Sequence, residues 1–474
     1  MDVVFQVTAT FIVSLLNFYL GFIVTWPSYA LPILESNTTG PQLLGRALTK
    51  QEGSLLSSIN MVGSVVAVLS GGFISEMIGR KRSEILSALC FLLAAALIVT
   101  AKTPIQILIS RLVVGYGGGL HVVVVYVFIN EFCQPSIIGN MSSLTIFAFT
   151  IGGICSYLCG SLLSYEVISY GMLIFSVILV IFMCFIKESP EAWNSLKFYR
   201  NGATEDVERE FACLKTYRET NNKQQCSFLE ESKSQSTETN VFNILRTSKA
   251  ARTALITVTI HIVLPIFMGT LPIQVFAAEF FSKAAPDLSH NLCSIILGVV
   301  ICMGSGVASF ITDLVDRRIL MCTSCVVCTV CLYLLSTLLF WSWAPNWVIL
   351  VIILLFCSMH QVGASNIPFV QIAESFPPEM KSFASTVAMT ALCLGNFGVI
   401  TLYRFIVEIF GLSGTFFLFG TAGSLTTVTS YYIMKETRDV NFEVIHAMYE
   451  QGIYDDGIQV EEEEGEGQSV LVHC

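Results

Sequence analysis

Residues 72–82 read GFISEMIGRKR, a segment in which an apolar run ends at a glutamate and a glycine precedes three basic residues. A similar charged turn, DLVDRR, occurs in the second half of the chain at residues 313–318. Two further charged turns recur in the same order and at nearly the same spacing: residues 131–135 match 374–378, and residues 187–189 match 435–437. Three independent signatures that repeat in register predict two related halves.

The composition between these turns indicates a membrane protein. Of the 474 residues, 54% are hydrophobic and only 13% are charged, which excludes a disordered protein and argues against a soluble one. Apolar runs of about 20 residues, the length that crosses a bilayer core, alternate with short polar breaks. We predict an all-α membrane protein with twelve spans, near residues 4–26, 54–75, 84–101, 105–129, 142–163, 167–186, 253–278, 291–312, 319–341, 347–372, 383–407 and 413–434.

The spans divide the chain into four predicted segments: a six-helix half at 1–186, a polar linker with short helices at 187–252, a second six-helix half at 253–434 and an acidic tail at 435–474. Two such halves in parallel register are typical of the major facilitator fold, in which the solute binds between the halves near the bilayer midplane. Lys and Arg concentrate in the loops on one side, so this side and both termini are expected to be cytoplasmic. Asn37 then lies in an external loop, as a candidate for glycosylation.

Charged residues at the predicted cytoplasmic helix ends are candidates for a gate. Ion pairs that form when the ends close and break when they separate would bias one transport state over the other. The candidate pairs are Glu76 with Arg80, Arg111 with Glu131 and Glu188, and Asp316 and Arg317 with Glu374 and Glu436. The alternative is that the basic residues only fix the orientation and that the carboxylates are solvated at loop ends.

These motifs resemble the sugar porter family. Residues 72–81 look like the facilitator signature between spans two and three, and RLVVGYG at 111–117, ESPEAW at 188–193 and KETR at 435–438 resemble sugar porter motifs. The opening segment 21–34, with Trp26 and Pro27, is similar to insect facilitated trehalose and glucose transporters. The resemblance covers essentially the whole chain, and it implies that the charged residues form the cytoplasmic locking network of the family.

Polar side chains within the apolar spans are the candidate solute site, because unpaired polar groups are costly inside a membrane. The resemblance implies that Asn396 and Phe397 contact sugar, that Gln361 replaces a hydroxyl-binding glutamate, and that Phe369 replaces a tryptophan wall. Asn366 and Gln274 are further candidates on the neighbouring spans. For each polar residue, hydrogen bonding between helices is the alternative role.

Other positions depart from the pattern of the family. Ile146 stands where the family has a glutamine, Pro265 and Ile266 stand at a glutamine pair, and Leu271 stands at an asparagine. Losing several such partners should lower the affinity for a hexose by orders of magnitude. The sequence therefore leaves three possibilities open: the solute binds differently, the solute is less polar, or transport is weak or lost.

The predicted function is facilitated movement of a small polar solute across the plasma membrane by alternating access, with hexose or trehalose as the solutes that the resemblance implies. Proton-coupled relatives carry an acid on span one shortly after a Gly-aromatic pair, whereas Gly21 and Phe22 are followed by Ile23, which favours uncoupled transport. The alternatives are a facilitator for a non-sugar solute and a membrane receptor that does not transport.

Several other functions are not predicted. No nucleophile, base and oxyanion group assemble in the sequence, so we expect no enzyme activity, and we expect no cofactor and no nucleic-acid partner. Cys322, Cys325, Cys328 and Cys331 form a drifting stripe on one helix that cannot converge on a metal cluster. The expected unit is a monomer in the lipid bilayer.

Overall fold

The computed structural model describes residues 2–133, 138–186, 246, 248–312, 314–341, 343–376, 378–438, 445 and 448–450. Helices account for the regular structure of this part of the chain. What we call the first half comprises α1 (Asp2–Thr25), α2 (Pro27–Leu34), α3 (Gly40–Leu44), α4 (Lys50–Ile78), α5 (Arg80–Val99), α6 (Pro104–Phe132), α7 (Ile138–Leu162) and α8 (Tyr165–Phe185). The second half comprises α9 (Lys249–Ile266), α10 (Thr270–Val275), α11 (Ala277–Ala284), α12 (His290–Ile311), α13 (Arg317–Trp341), α14 (Asn346–Val362), α15 (Ile367–Ser375) and α16 (Pro378–Ile433).

Eleven helical segments in the described residues are long and apolar enough to cross a membrane. The last of them, Met380–Ile433, has 54 residues, which corresponds to about 80 Å of helix and exceeds twice the thickness of a bilayer core. Gly411 interrupts it with φ 69° and ψ 177°, a conformation that glycine adopts readily. Divided at Gly411, this segment provides two spans, so the eleven segments are compatible with the twelve predicted spans. The prediction of an all-α, multi-pass membrane protein is confirmed.

The predicted span boundaries differ from the structure mainly in the second half. The seventh predicted span, 253–278, is divided among α9, α10 and α11, and the tenth, 347–372, is divided between α14 and α15. Hydrophobicity does not reveal such breaks, because the residues on both sides remain apolar. The predicted short helices of the linker and the acidic tail lie almost entirely outside the described residues.

The charged turn at residues 76–82 reverses the chain between α4 and α5. Gly79 has φ 91° at this turn, a value at which a side chain would be strained. Arg80 then donates a hydrogen bond from Nη1 to the carbonyl oxygen of Ser75, at 2.9 Å. The predicted pair with Glu76 is wrong: the Glu76 side chain is exposed, and the described residues contain no ion pair between the two.

Small residues allow close helix packing in the first half. A Cβ atom on Gly21 of α1 would lie 1.8 Å from the carbonyl oxygen of Phe149, and one on Gly152 of α7 would lie 1.9 Å from that of Phe18. Only glycine therefore permits the observed approach of α1 and α7, as is common between membrane helices. This close approach fixes the position of Phe149 relative to α1.

A buried acid-imidazole pair joins α5 to α6. His121 Nδ1 lies 2.6 Å from Glu84 Oε2, and both side chains are completely inaccessible to solvent. The second polar atom of each side chain, His121 Nε2 and Glu84 Oε1, has no hydrogen-bond partner among the described residues. The contact between His121 and Glu84 is therefore the hydrogen bond on which the buried side chains of both residues depend.

We expect His121→Leu to destabilise the protein, because it leaves Glu84 buried without its partner. Removing one member of a buried pair costs about 3–5 kcal/mol, which thermal unfolding in detergent would record as a lower midpoint. The double variant Glu84→Leu/His121→Leu should unfold at a higher temperature than the single variant, since apolar side chains then replace both groups. His290→Leu, at an exposed position, is the matched control. A double variant as unstable as the single one would contradict this role for the pair.

Candidate functional site between the two halves

Two helix breaks face one cavity in the interior of the bundle. The first separates α9 from α10, where Pro265 lies in the last turn of α9 and Gly269 has φ 81°. The second separates α14 from α15 at residues 363–366. Irregular backbone at membrane depth is tolerated where it lines a cavity, since its polar groups then have partners other than lipid. Two irregular backbone segments of the second half therefore meet at this space.

The cavity has a volume of about 230 Å³. Its lining residues come from α7, α9, α10, α14, α15, α16 and the second helix break: Phe149, Ile262, Pro265, Ile266, Thr270, Leu271, Gln274, His360, Gln361, Ala364, Ser365, Pro368, Phe369, Leu392 and Asn396. Four of the six predicted solute-binding residues are thus brought together, namely Asn396, Gln361, Phe369 and Gln274.

The other two predicted solute contacts lie elsewhere. Asn366 donates a hydrogen bond from Nδ2 to the carbonyl oxygen of Gln361, at 2.8 Å. This carbonyl lies just before the break between α14 and α15, so Asn366 stabilises the break and does not line the cavity. Phe397 follows Asn396 in α16 but is also absent from the lining, because adjacent residues of a helix point in directions about 100° apart.

His360 is a cavity residue that the sequence analysis missed. Its Nε2 atom lies 3.4 Å from the carbonyl oxygen of Pro265, and its Nδ1 atom has no hydrogen-bond partner among the described residues. The available signal was a polar side chain directly before Gln361 within an apolar run. His261, which also stands in an apolar run, bonds instead to the carbonyl oxygen of Thr257 in its own helix, at 2.8 Å.

A cluster of charges centred on Arg404 joins the two halves at one end of the bundle, which we call the Arg404 end. Arg404 of α16 contacts Glu279 of α11 at 2.6 Å and also pairs with Glu35, which directly follows α2. Arg404 further donates to the carbonyl oxygen of Lys50, at 3.3 Å, and lies 4.8 Å from the centre of the Phe276 ring. Only 11% of its side chain is exposed. Since Glu35 and Lys50 belong to the first half, these contacts cross between the halves.

Three more hydrogen bonds connect the halves near the same end. They run from Tyr157 Oη to the carbonyl oxygen of Gln274 at 2.7 Å, from Ala278 N to Ser28 Oγ at 3.1 Å, and from Thr401 Oγ1 to Ser58 Oγ at 2.7 Å. Gln274 also lines the cavity, so the bond from Tyr157 attaches the first half to a helix that forms part of the cavity. The Arg404 end is therefore closed in this structure.

The two carboxyl groups beside Arg404 have pKa values shifted in opposite directions. Burial raises the pKa of Glu35 above its usual value, although Arg404 opposes this shift. Burial acts in the same direction on Glu279, but Arg404 and Lys283 outweigh it and lower the pKa of that carboxyl. A raised pKa in the closed state means that protonation favours closure, and a lowered one means that it favours opening. Acidification therefore has opposing effects on closure at the two sites.

A second charged cluster lies at the opposite end, which we call the basic end. Arg317 Nη2 lies 3.3 Å from Glu374 Oε1, and the Glu436 carboxylate accepts hydrogen bonds from the backbone nitrogens of Arg317 and Arg318 at 3.0 and 2.9 Å. Asp316 lies 3.8 Å from Arg438. The predicted group of Asp316, Arg317, Glu374 and Glu436 is thus assembled. These residues lie in the second half or directly after it, so the contacts just named hold α13, α15 and the segment after α16 together, and none of these contacts reaches the first half.

The predicted pairing of Arg111 with Glu131 is wrong, and its predicted pairing with Glu188 involves a residue outside the described part of the chain. Arg111 donates to the carbonyl oxygens of Ile23 at 3.0 Å and Leu56 at 3.4 Å, and its guanidinium lies 5.2 Å from the centre of the Trp26 ring. These contacts place it near the start of α6, whereas Glu131 is at the other end of that helix, about 30 Å away at 1.5 Å per residue. The side chain of Glu131 and all of Glu188 lie outside the described residues.

Comparison with known proteins agrees with this architecture. A family model described as "Sugar (and other) transporter" matches residues 7–449. The chain belongs to this family. The facilitated trehalose transporter Tret1-2 homolog of Drosophila sechellia is 24% identical over 459 residues, covering 93% of this chain and 90% of that protein. The facilitated trehalose transporter Tret1 of Apis mellifera ligustica is also 24% identical, over 94% of this chain and 88% of that protein.

A solved structure shows the same fold. The inward-open xylose transporter XylE from E. coli aligns with a TM-score of 0.74 at 18% identity, covering 93% of this chain and 99% of that chain. The predicted sugar porter resemblance and the predicted major facilitator fold are confirmed. The relatives of this sugar transporter family member are transporters and not enzymes, as the sequence analysis predicted.

We expect Arg404→Gln to open the Arg404 end. Losing one partner of a hydrogen-bonded charge pair costs about 2–5 kcal/mol, so the ratio of closed to open molecules should fall at least about tenfold. The pair Ser58→Cys/Thr401→Cys reports closure, because the two hydroxyl oxygens are 2.7 Å apart. Disulfide formation between these cysteines, followed by mass spectrometry, should slow when Arg404→Gln is added.

Arg46→Gln is the matched control for this experiment. Arg46 lies near the same end, is half exposed and pairs with Glu52 within the first half. Its substitution should leave cross-linking unchanged. Cross-linking that proceeds equally fast with Arg404 and with glutamine at that position would contradict a closing role for the cluster.

Proposed function

We propose that this protein moves a small sugar across the plasma membrane by uncoupled alternating access. The observation that carries the proposal is the convergence of Gln361 and Asn396 with Phe369 on one cavity at two helix breaks. Side-chain amides donate and accept hydrogen bonds with hydroxyl groups, and an aromatic ring covers the apolar C–H face of a sugar. The insect relatives are named as trehalose transporters, which supports a sugar as the solute.

The closed Arg404 end supports alternating access as the mechanism. In this proposal, residues 1–186 and 253–434 are the moving halves, and residues 187–252 link them. The solute reaches the cavity from the basic end while the Arg404 contacts hold the other end closed. Breaking the contacts of Arg404 with Glu35 and Lys50 then opens the Arg404 end, and the solute leaves there. The cluster around Arg317 stays intact within its half during this exchange.

The distribution of basic residues supports the proposed orientation. The turns at 80–82 and 317–318 lie at the basic end, and such residues favour the cytoplasmic side. Both termini would then be cytoplasmic, and the Arg404 end would face outward. Asn37, exposed between α2 and α3 near the Arg404 end, is the proposed glycosylation site. The proposed unit is a monomer in the bilayer.

The surroundings of Arg111 support transport without proton coupling. This buried cation is held by backbone carbonyls of α1 and α4 and by the Trp26 ring. Residues 3–25 of α1 include no acid that could exchange a proton beside it. A downhill solute gradient is therefore the proposed driving force.

We expect purified protein in liposomes to take up labelled D-glucose or trehalose in a saturable manner. Asn396→Ala and Gln361→Ala should each lower uptake at low solute concentration by about tenfold, since each removes hydrogen bonds that replace water around the solute. Gln106→Ala, a substitution of the same type in the first turn of α6 and outside the cavity, should leave uptake unchanged. Uptake rates from protein-free liposomes provide the background.

The same assay distinguishes the alternatives. Saturable uptake of a non-sugar solute alone would overturn the sugar assignment, and stabilisation by a sugar without any uptake would identify a receptor. Accumulation driven by an imposed proton gradient would contradict uncoupled transport.

A further inference from the structure

Two helices contribute only apolar side chains to the cavity, whereas α10 contributes both Leu271 and Gln274 and α16 contributes both Leu392 and Asn396. Helix α9 contributes Ile262, Pro265 and Ile266, and α7 contributes Phe149, so that neither helix presents a polar side chain there. The three α9 residues are spaced i, i+3 and i+4, which places them on one face of the helix. This face of α9, together with Phe149, forms what we call the apolar wall of the cavity.

Hydrogen-bonding capacity is concentrated on the other elements. The side-chain amides of Gln274 and Asn396 and the hydroxyl of Ser365 line the cavity and have no hydrogen bond to protein among the described residues. Gln361 makes only a long contact, 3.5 Å, from Nε2 to Ser305 Oγ. Each primary amide offers two donors and one acceptor oxygen. These four residues form the polar wall and retain this capacity for a solute, to which the unpartnered Thr270 Oγ1 and His360 Nδ1 of the same cavity add.

The apolar wall reaches directly to the polar groups. Gly395 lacks a side chain, and a Cβ atom there would lie 2.9 Å from Cδ1 of Ile266. Ile266 therefore packs over Gly395, one residue before Asn396, and both Ile266 and Asn396 line the cavity. Leu271 adds another apolar side chain one residue after Thr270. A solute that occupies the cavity and binds the amide of Asn396 therefore also meets aliphatic carbon from α9.

A fully hydroxylated sugar does not complement both walls. Any hydroxyl group facing Ile266, Leu271 or Phe149 would lose its hydrogen bonds to water without gaining replacements. An apolar substituent at that place would gain affinity, since a single methylene group in a hydrophobic pocket changes discrimination by roughly 10–200-fold. The volume of about 230 Å³ is small for a ligand pocket, which favours a single sugar ring with a compact substituent.

We propose that the preferred solute is an amphipathic monosaccharide derivative, with hydroxyl groups on one side and an apolar alkyl or aryl substituent on the other. This inference rests on the proposed sugar transport and specifies the class of sugar. The hydroxyl groups bind the polar wall, and the substituent fills the space beside Ile266, Leu271 and Phe149.

Phenyl β-D-glucoside, methyl β-D-glucoside and D-glucose are suitable probes, compared by uptake and by thermal stabilisation of the purified protein. The phenyl compound should bind at least about tenfold more tightly than glucose, with the methyl compound between them. Leu271→Asn, a nearly isosteric change, should reduce the ratio of the affinity for the phenyl compound to the affinity for glucose by about tenfold. Leu271→Met should preserve this ratio. Phe149→Tyr offers a second variant that adds a hydroxyl group to the apolar wall, and it should also reduce the ratio.

The outcomes separate this inference from the proposed function. Equal or tighter binding of glucose relative to the phenyl compound, with saturable uptake of both, would overturn the inference and leave sugar transport standing. Absence of binding and uptake for all three probes and for trehalose would overturn both. If a variant fails to fold, the affinity ratio of the wild-type protein decides the question alone.

Discussion

The satisfaction of backbone polar groups in a medium without water is the constraint on which this structure depends. A membrane helix can leave its hydrogen-bonding pattern only where protein or a cavity supplies other partners. The chain breaks its helices after Pro265 and again at residues 363–366, and it satisfies the second break with the side chain of Asn366. Both breaks meet at one cavity. The cavity therefore lies where irregular backbone groups can find hydrogen-bond partners other than those of a regular helix.

The Arg404 cluster closes one end of the bundle through several short contacts, but these contacts stabilise the closed state by only a modest free energy. Arg404, Glu35 and Glu279 are each largely removed from water, and removing charges from water offsets much of their mutual attraction. Opening would rehydrate all three groups. The closed and open states can therefore lie within a few kcal/mol of each other, which is the condition for both to be populated in a transport cycle. An apolar seal of the same area would lack this compensation.

The sequence predicted the spans and the main polar residues of the cavity because both depend on the cost of polar groups in lipid. Gln361 and Asn396 were identified for this reason. The same reasoning applies to Arg404, which lies in the apolar run after Met380, but the partners of Arg404 are distant in sequence and its role was missed. Arg111 was assigned to the wrong end of the bundle. The motif around Arg111 places it near the start of α6. Which end of the bundle this start occupies depends on the direction in which α6 crosses the bundle.

The two charged clusters differ in a way that identifies what moves. The contacts of Arg317 with Glu374 and Glu436 link α13 to α15 and to the segment after α16, whereas those of Arg404 cross to the first half. All but one of the described cavity residues also belong to the second half, and the exception is Phe149 of α7. The second half can therefore retain the hydrogen bonds to a solute as the halves rock. Phe149 lies on α7, which Gly21 and Gly152 allow to pack tightly against α1. Phe149 therefore moves with α1 and α7 as a rigid pair of helices. In the proposed cycle, access therefore changes mainly by moving an apolar surface across the bound solute, without breaking its hydrogen bonds to the polar wall.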